Sequence, residues 1–235
     1  MDVNRRAQLV RAITGQPVSG LLWSRAHAVC TVTARELGLD AAALSLYLEP
    51  RIQEPIVTTS SWAARLNDLE YTLGDGPGIA AFHTERAIHL PDLTAALRHR
   101  TGYATFAGAE ELAAQFCWPV ITGNGEPIAV LSGYRRRPGP LSARQTQDSA
   151  ILVKLLARAL EDSDTGLPAA LVAVDRGQLR HYATVALAIT FTAARHKLSS
   201  DDAFALLRAH AFSHGKTLRD IADAVAGRRL DLDTR

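Results

Sequence analysis

The sequence has few of the residues that staple or metallate a small protein. Among 235 residues there are two cysteines, Cys30 and Cys117. That excludes a multi-disulfide scaffold and a four-thiolate zinc site, and it suits a reducing compartment. Lysine is scarce as well: Lys154, Lys197 and Lys216 are the only ones among 26 basic residues, so nearly all the positive charge is arginine. Long apolar runs are missing. The longest mostly apolar stretch, Tyr182 to Ala194, is well under the roughly 20 residues that cross a bilayer. The opening residues, MDVNRRAQLV, lack the apolar segment of a secretory signal. A cytoplasmic protein with no membrane contact is expected. A charge excess of one sign is also missing: 26 basic against 24 acidic residues give a formal net charge of +2. A uniformly cationic, histone-like chain is excluded, although a local basic patch is not.

What is present is ordinary globular composition, with 47% apolar and 21% charged residues, which argues against extensive disorder. The spacing predicts a short helix over Asn4–Ile13, within an N-terminal extension of residues 1–19, and an amphipathic helix over 21–37 with Gly38 as its cap. Ala42–Leu48 alternates as a strand, with Leu44 and Leu46 on one face and Ser45 and Tyr47 on the other. Ile56–Ser60 is a β-branched partner for it. Ser60 or Ser61 caps a helix to Leu69. The run Gly74-Asp75-Gly76-Pro77-Gly78 is the densest turn signal of the chain, and a helix starts just after Pro77. Ala87–Leu90 is a short strand and residues 103–114 a helix. Phe116–Ile121 and Pro127–Tyr134 flank Gly123-Asn124-Gly125 as a hairpin. Ser142 caps a long helix to about Asp162.

Ser163 to Pro168 reads as a linker, giving a first domain over 20–162, a linker over 163–169 and a helical domain over 170–235. In that last region, helices are expected from about Ala170 or Asp175 to Lys197, from Ser199 or Ser200 to Ser213, and from Thr217 to Ala226. The fold class is α+β, an antiparallel sheet flanked by helices, followed by an all-α three-helix module. Roughly 60 residues is marginal for an independent core. The first of the three helices is apolar nearly all round from Tyr182 to Ala194, so it needs cover on several sides. A second copy of the chain is the economical cover, which predicts a homodimer through this helix and the helix ending at Asp162.

The first domain resembles a GAF domain. The resemblance rests on Leu73-Gly74-Asp75-Gly76-Pro77-Gly78-Ile79-Ala80-Ala81, on Arg86-Ala87-Ile88-His89-Leu90-Pro91-Asp92-Leu93, and on Phe116-Cys117-Trp118-Pro119-Val120. It implies a sensory or dimerising module for signal transduction. Many members carry cysteine after Gly-Pro where this chain has Gly78, so thiol chemistry at that position is absent. There is no cyclic-nucleotide signature and no cysteine placed for a bilin. A Gly-rich turn before a helix can cradle phosphate, but Asp75 opposes an anion and no Gly-Lys-Ser/Thr follows. Trp62, Phe82, Cys117 and Trp118 are the candidate lining of a pocket for an unknown small molecule, with plain core as the alternative. No cofactor is expected.

The C-terminal region is similar to the ANTAR domain, a three-helix RNA-binding module of bacterial antitermination regulators. The similarity rests on His181-Tyr182-Ala183-Thr184, on Leu198-Ser199-Ser200-Asp201-Asp202-Ala203-Phe204-Ala205-Leu206-Leu207-Arg208-Ala209-His210-Ala211, and on Gly215-Lys216-Thr217-Leu218-Arg219-Asp220-Ile221-Ala222. The family usually reads Ala-Thr-Gly-Met where this chain reads Ala183-Thr184-Val185-Ala186. From Asp175 onward there are ten basic and seven acidic residues, so the near-neutral total joins a slightly basic tail to a slightly acidic body. Arginine pairs with phosphate and stacks on splayed bases. The candidate RNA contacts are Arg208, Lys216 and Arg219, with Thr184, His210 and His214 as hydrogen-bonding neighbours; a solvated polar face is the alternative. His210 and His214 are spaced i, i+4 but have no third ligand, so no metal is expected.

Three functions follow. The first is transcription regulation by binding an RNA stem-loop in a nascent transcript, with antitermination as the outcome. The second is DNA binding through Thr217–Val225, opposed by Asp220 and Asp223 on the reading face. The third is a sensing or protein-interaction module without RNA binding. No nucleophile, base and orienting group stand together in a motif, so an enzyme is not expected.

Overall fold

A computed structural model of the chain describes residues 3–17, 23–49, 52–96, 103–109, 111–162 and 180–232. The expected linker over 163–169 lies outside the described residues, as do residues 170–179. Five strands form one antiparallel sheet: β1 Ala41–Glu49, β2 Ile52–Thr58, β3 Ile88–Leu90, β4 Ala114–Ile121 and β5 Pro127–Arg135, in the order β2-β1-β5-β4-β3. The alternation of β1 sorts its side chains as expected. Leu44 and Leu46 join a core under α1 (Val3–Thr14), α2 (Ser24–Glu36) and α7 (Ala143–Glu161), together with Phe116, Trp118, Leu131, Leu152 and Leu156. Truncating one of these fully buried leucines to alanine costs about 2–5 kcal/mol. The opposite sheet face carries α3 (Ser61–Leu73), α4 (Pro77–Thr84) and α6 (Tyr103–Ala109), with α5 (Leu93–Ala96) beside α6.

The N-terminal helix is part of this core and not an appendage. Leu9 is fully buried. Arg5 grips Asp148 of α7 with Nε and Nη2, at 2.9 and 2.7 Å, and reaches Glu36 of α2 at 2.8 Å. Helix starts follow their side-chain caps: Ser60 accepts from the Ala63 amide, and Ser142 and Gln145 form a reciprocal capping box.

Among the described residues, three boundaries differ from the sequence expectation by about four residues or more. Strand β2 begins at Ile52, and α3 runs on to Leu73, where Gly74 adopts a left-handed cap. Helix α6 stops at Ala109 instead of reaching 114. Glu111 turns left-handed, and the Ala113 amide donates to the Arg135 carbonyl, so this segment is already joining the sheet.

The C-terminal residues form α8 (Arg180–His196), α9 (Ser200–Ser213) and α10 (Leu218–Ala226). Ser199 caps α9, and Thr217 with Asp220 forms a capping box on α10. Val185, Ala188, Phe204, Leu207, Leu218, Ile221 and Val225 make one core, and Ile52 and Tyr71 of the first domain belong to it. Part of the cover expected from a second copy is therefore supplied within the chain. On α8 Leu187 remains 42% exposed.

Candidate functional site

The glycine-rich turn is built around a carboxylate that sequence reasoning missed. Glu70 lies on the last turn of α3 and is 3% exposed. Its Oε1 accepts from the backbone N–H groups of Gly78 and of Ile79, the latter at 2.9 Å. Its Oε2 accepts from Gln115 Nε2 at 3.2 Å. Gln115 in turn accepts from the Tyr103 hydroxyl at 2.6 Å and contacts Cys117 Sγ at 3.3 Å, and Cys117 lies 3.4 Å from Ser132 Oγ. Burial pushes the Glu70 carboxyl up to about 7; its three hydrogen-bond donors pull the other way, and Asp75 adds to the rise. Burial also drives the Cys117 thiol well up, so it is not a reactive thiolate.

This arrangement accounts for the turn's composition. The free N–H groups at the start of α4 are an anion site, and the chain's own Glu70 occupies it. A Cβ at Gly76 would stand 2.5 Å from Glu70 Cγ, and one at Gly78 would stand 2.8 Å from Oε1. Glycine at 78 thus goes together with glutamate at 70.

A second constellation joins the helical module to the first domain. Arg208 of α9 donates from Nε to the Thr72 carbonyl at 3.1 Å and from Nη2 to the Leu73 carbonyl. These are carbonyls at the C-terminal end of α3, where the helix dipole favours a cation. The guanidinium lies over Gly74, where a Cβ would overlap it. Burial lowers the pKa of Arg208. The Leu218 amide at the start of α10 donates to Thr72 Oγ1 at 3.0 Å. Arg219 pairs with Asp68 of α3 at 2.9 Å. Burial raises the Asp68 carboxyl, and Arg219 only partly opposes that rise. Phe106 and Phe212 meet edge to face at 5.2 Å. Between the two domains remains a cavity of about 260 Å³, bordered by Tyr47, Gln53, Tyr71, His83, Phe204 and Arg208.

Residues 176–225 match the family model of the ANTAR domain. The first domain superposes on a domain of a Sinorhizobium meliloti 1021 protein named for a two-component sensor histidine kinase. Identity is 15%, the match covers 65% of this chain and 97% of that one, and the TM-score is 0.50. It also superposes on the GAF domain of a phosphoenolpyruvate-protein phosphotransferase from Coxiella burnetii, with 16% identity, 68% and 93% coverage and a TM-score of 0.51. A search of the curated proteins finds no match. The first domain thus has the GAF fold, and the helical module carries the ANTAR match. At these identities the structural likeness speaks for the fold alone.

In the first domain the four expected pocket residues divide between the two faces of the sheet. Cys117 and Trp118 are neighbours on β4 and point to opposite faces: Trp118 packs in the core under α2 and α7, Cys117 beneath α4. Phe82 stacks on Tyr47 with ring centroids 3.8 Å apart. Trp62 sits 6.1 Å from Tyr134, with Arg136 4.2 Å over its ring. Period-two alternation along β4 separates Cys117 from Trp118, and that separation was readable in the sequence.

In the ANTAR domain the expected RNA residues divide. Arg208 and Arg219 face the GAF domain. Lys216 and His214 are exposed, and Thr184 and His210 are half-buried. The rings of His210 and His214 stack at 4.0 Å, and His214 Nδ1 donates to the His210 carbonyl at 2.9 Å. Burial, then the neighbouring His214, lowers the pKa of His210. Val185, which replaces the family's usual glycine, is 1% exposed in the bundle core, so this change falls on the packed side of α8.

Proposed function

We propose that this protein is a transcription regulator that binds RNA stem-loops through its ANTAR domain and acts by antitermination. The GAF domain serves as its sensory partner, and a second copy covers the side of α8 marked by Leu187. The observation that carries this reading is the helical bundle: from residue 180 on, the segment matching the ANTAR model forms three helices around one core, the second and third with side-chain caps. Val185 fills that core and leaves the polar faces of the helices free of the change.

With the domains packed as they are, Arg208 and Arg219 are committed to the GAF domain. RNA contact through these two residues therefore requires the domains to part, which gives a GAF ligand a means of control. The same observation favours a second reading, in which the bundle is a fixed protein-interaction module without RNA binding. Titration of the full chain with a labelled two-stem-loop RNA at several salt concentrations separates the two. Tight binding that prefers the stem-loop pair over a plain duplex supports regulation through RNA. Absent binding, or equal affinity for any duplex, overturns it. Sedimentation tests the dimer, and a monomer at micromolar concentration removes it.

A further inference from the structure

Beyond the last helix the chain turns back on itself. Gly227 closes α10, and Arg228 adopts a left-handed conformation at φ 55°. The Arg229 and Leu230 amides then donate to the Ala224 carbonyl at 2.8 and 3.2 Å. Leu232, 3% exposed, returns into the bundle core. This hook is anchored at both ends, so the residues between are positioned. It starts where the ANTAR match stops, at residue 225, and nothing in that match assigns it a role.

The hook and the last turns of α8 enclose an open groove of about 870 Å³, bordered by Phe191, Arg195, His196, Arg228, Arg229 and Asp231 among others. Every bordering residue belongs to α8, to the end of α10 or to the hook. Helix α10 docks on the GAF domain at its first residue, Leu218, and the groove lies at its other end. Nine residues at 1.5 Å each separate the two by about 13 Å. The groove is therefore open while Arg208 and Arg219 are occupied.

Its charge is one-sided. Arg195 holds Asp231 in an ion pair, and His196 Nε2 is 4.0 Å from the same carboxylate. Arg228 stands 5.8 Å over the Phe191 ring. Arg229 donates to the Asp223 carbonyl at 3.1 Å and lies across Gly227. Among the described residues neither Arg228 nor Arg229 has a carboxylate partner. Two anchored, exposed guanidiniums with no carboxylate partner among the described residues, on the wall of an open groove, have the chemistry that pairs with backbone phosphates.

We propose that this groove grips the phosphate backbone of the bound RNA, with Arg228 and Arg229 as the contacting residues. This rests on the RNA-binding reading above and relocates its electrostatic contact from Arg208 and Arg219 to the far end of the bundle. RNA then binds without separation of the domains.

The test uses the full chain and a labelled two-stem-loop RNA between about 50 and 300 mM salt. The double variant Arg228→Gln/Arg229→Gln is expected to bind about 10-fold or more weakly at the lower salt, with the log–log salt slope reduced by roughly 1–2. Arg208→Gln is expected to keep the wild-type slope. Asp231→Asn frees Arg195 and is expected to tighten binding, an outcome that misfolding does not produce. Wild-type binding with an unchanged slope in the double variant overturns the groove while leaving the RNA reading intact. Failure of Asp231→Asn to tighten binding overturns the groove in the same way. No RNA binding by the wild-type chain overturns both.

Discussion

Two buried charges, one inside the GAF domain and one between the domains, are satisfied in different ways. Glu70 receives its hydrogen bonds from Gly78, Ile79 and Gln115, all within its own domain. Those donors are in place whatever the ANTAR domain does. Arg208 donates to the carbonyls of Thr72 and Leu73 across the domain boundary, and it loses both partners if the domains separate. The first charge is part of how the domain folds. The second is part of how the two domains are held, and water or another acceptor can replace its partners. A buried group whose partners come from its own domain marks structure; one whose partners come from elsewhere marks a contact that can open.

The largest expected effect tests the first half of this contrast. Glu70→Ala removes the acceptor of three buried donors and leaves a cavity, so the chain should lose about 3–5 kcal/mol in urea unfolding. A loss below about 1 kcal/mol would mean that water reaches the donors, and Glu70 would then be no more internal than Arg208.

The next effect is the pH dependence. The Glu70 carboxyl is raised from its ordinary 4.5 to about 7 in the folded chain. Between those values the folded protein holds a proton that the unfolded chain has released. The stabilisation is complete below about pH 4.5 and is lost as pH rises toward 7, a span worth about 3 kcal/mol. Urea midpoints measured across that window should fall with rising pH, and Glu70→Gln should flatten this component. An unchanged slope in that variant assigns the titration to another group.

The contrast also explains what the sequence shows and what it hides. Ser60, Ser142, Ser199 and Thr217 announce their helices because a cap is a local event within four residues. The hairpin around Gly125 is local too, with its amide donating to the Thr122 carbonyl at 2.9 Å. The GAF and ANTAR motifs were legible for the same reason. Glu70 was not, since a glutamate on a helix looks the same whether it meets water or an amide eight residues on. The end of α6 was hidden because it depends on the Ala113 amide finding Arg135 in another strand. The places of Arg208 and Arg219 depend on the packing of one domain on another, which no local pattern carries.

A smaller effect probes the contact between the domains. Gly74 caps α3 at φ 62° with the Arg208 guanidinium lying over it. Gly74→Ala adds left-handed strain and displaces that guanidinium, at a cost of about 1–2 kcal/mol. The reporter is the Leu218 amide, which donates to Thr72 Oγ1 across the boundary. Its hydrogen exchange should speed up by about tenfold or more, while the Ile79 amide bound to Glu70 keeps its rate. Equal acceleration at both would show that the two charges belong to one cooperative unit.

The smallest effect concerns the ion pair beside it. Asp68 and Arg219 approach to 2.9 Å with side chains 22% and 18% exposed, so they resemble a strong buried pair. The carboxyl is nevertheless raised, because burial outweighs the attraction of Arg219 and Asp220 adds a like charge. A pair in which desolvation cancels the Coulomb gain contributes little net stability. Asp68→Asn keeps the shape and an acceptor oxygen for Arg219 while removing a charge that burial disfavours, and should cost less than Gly74→Ala. Its effect on the Leu218 amide should likewise be far below that of Gly74→Ala. If Asp68→Asn opens the domains as readily as Gly74→Ala does, the ion pair is the clasp, and the carbonyl contacts of Arg208 only follow it.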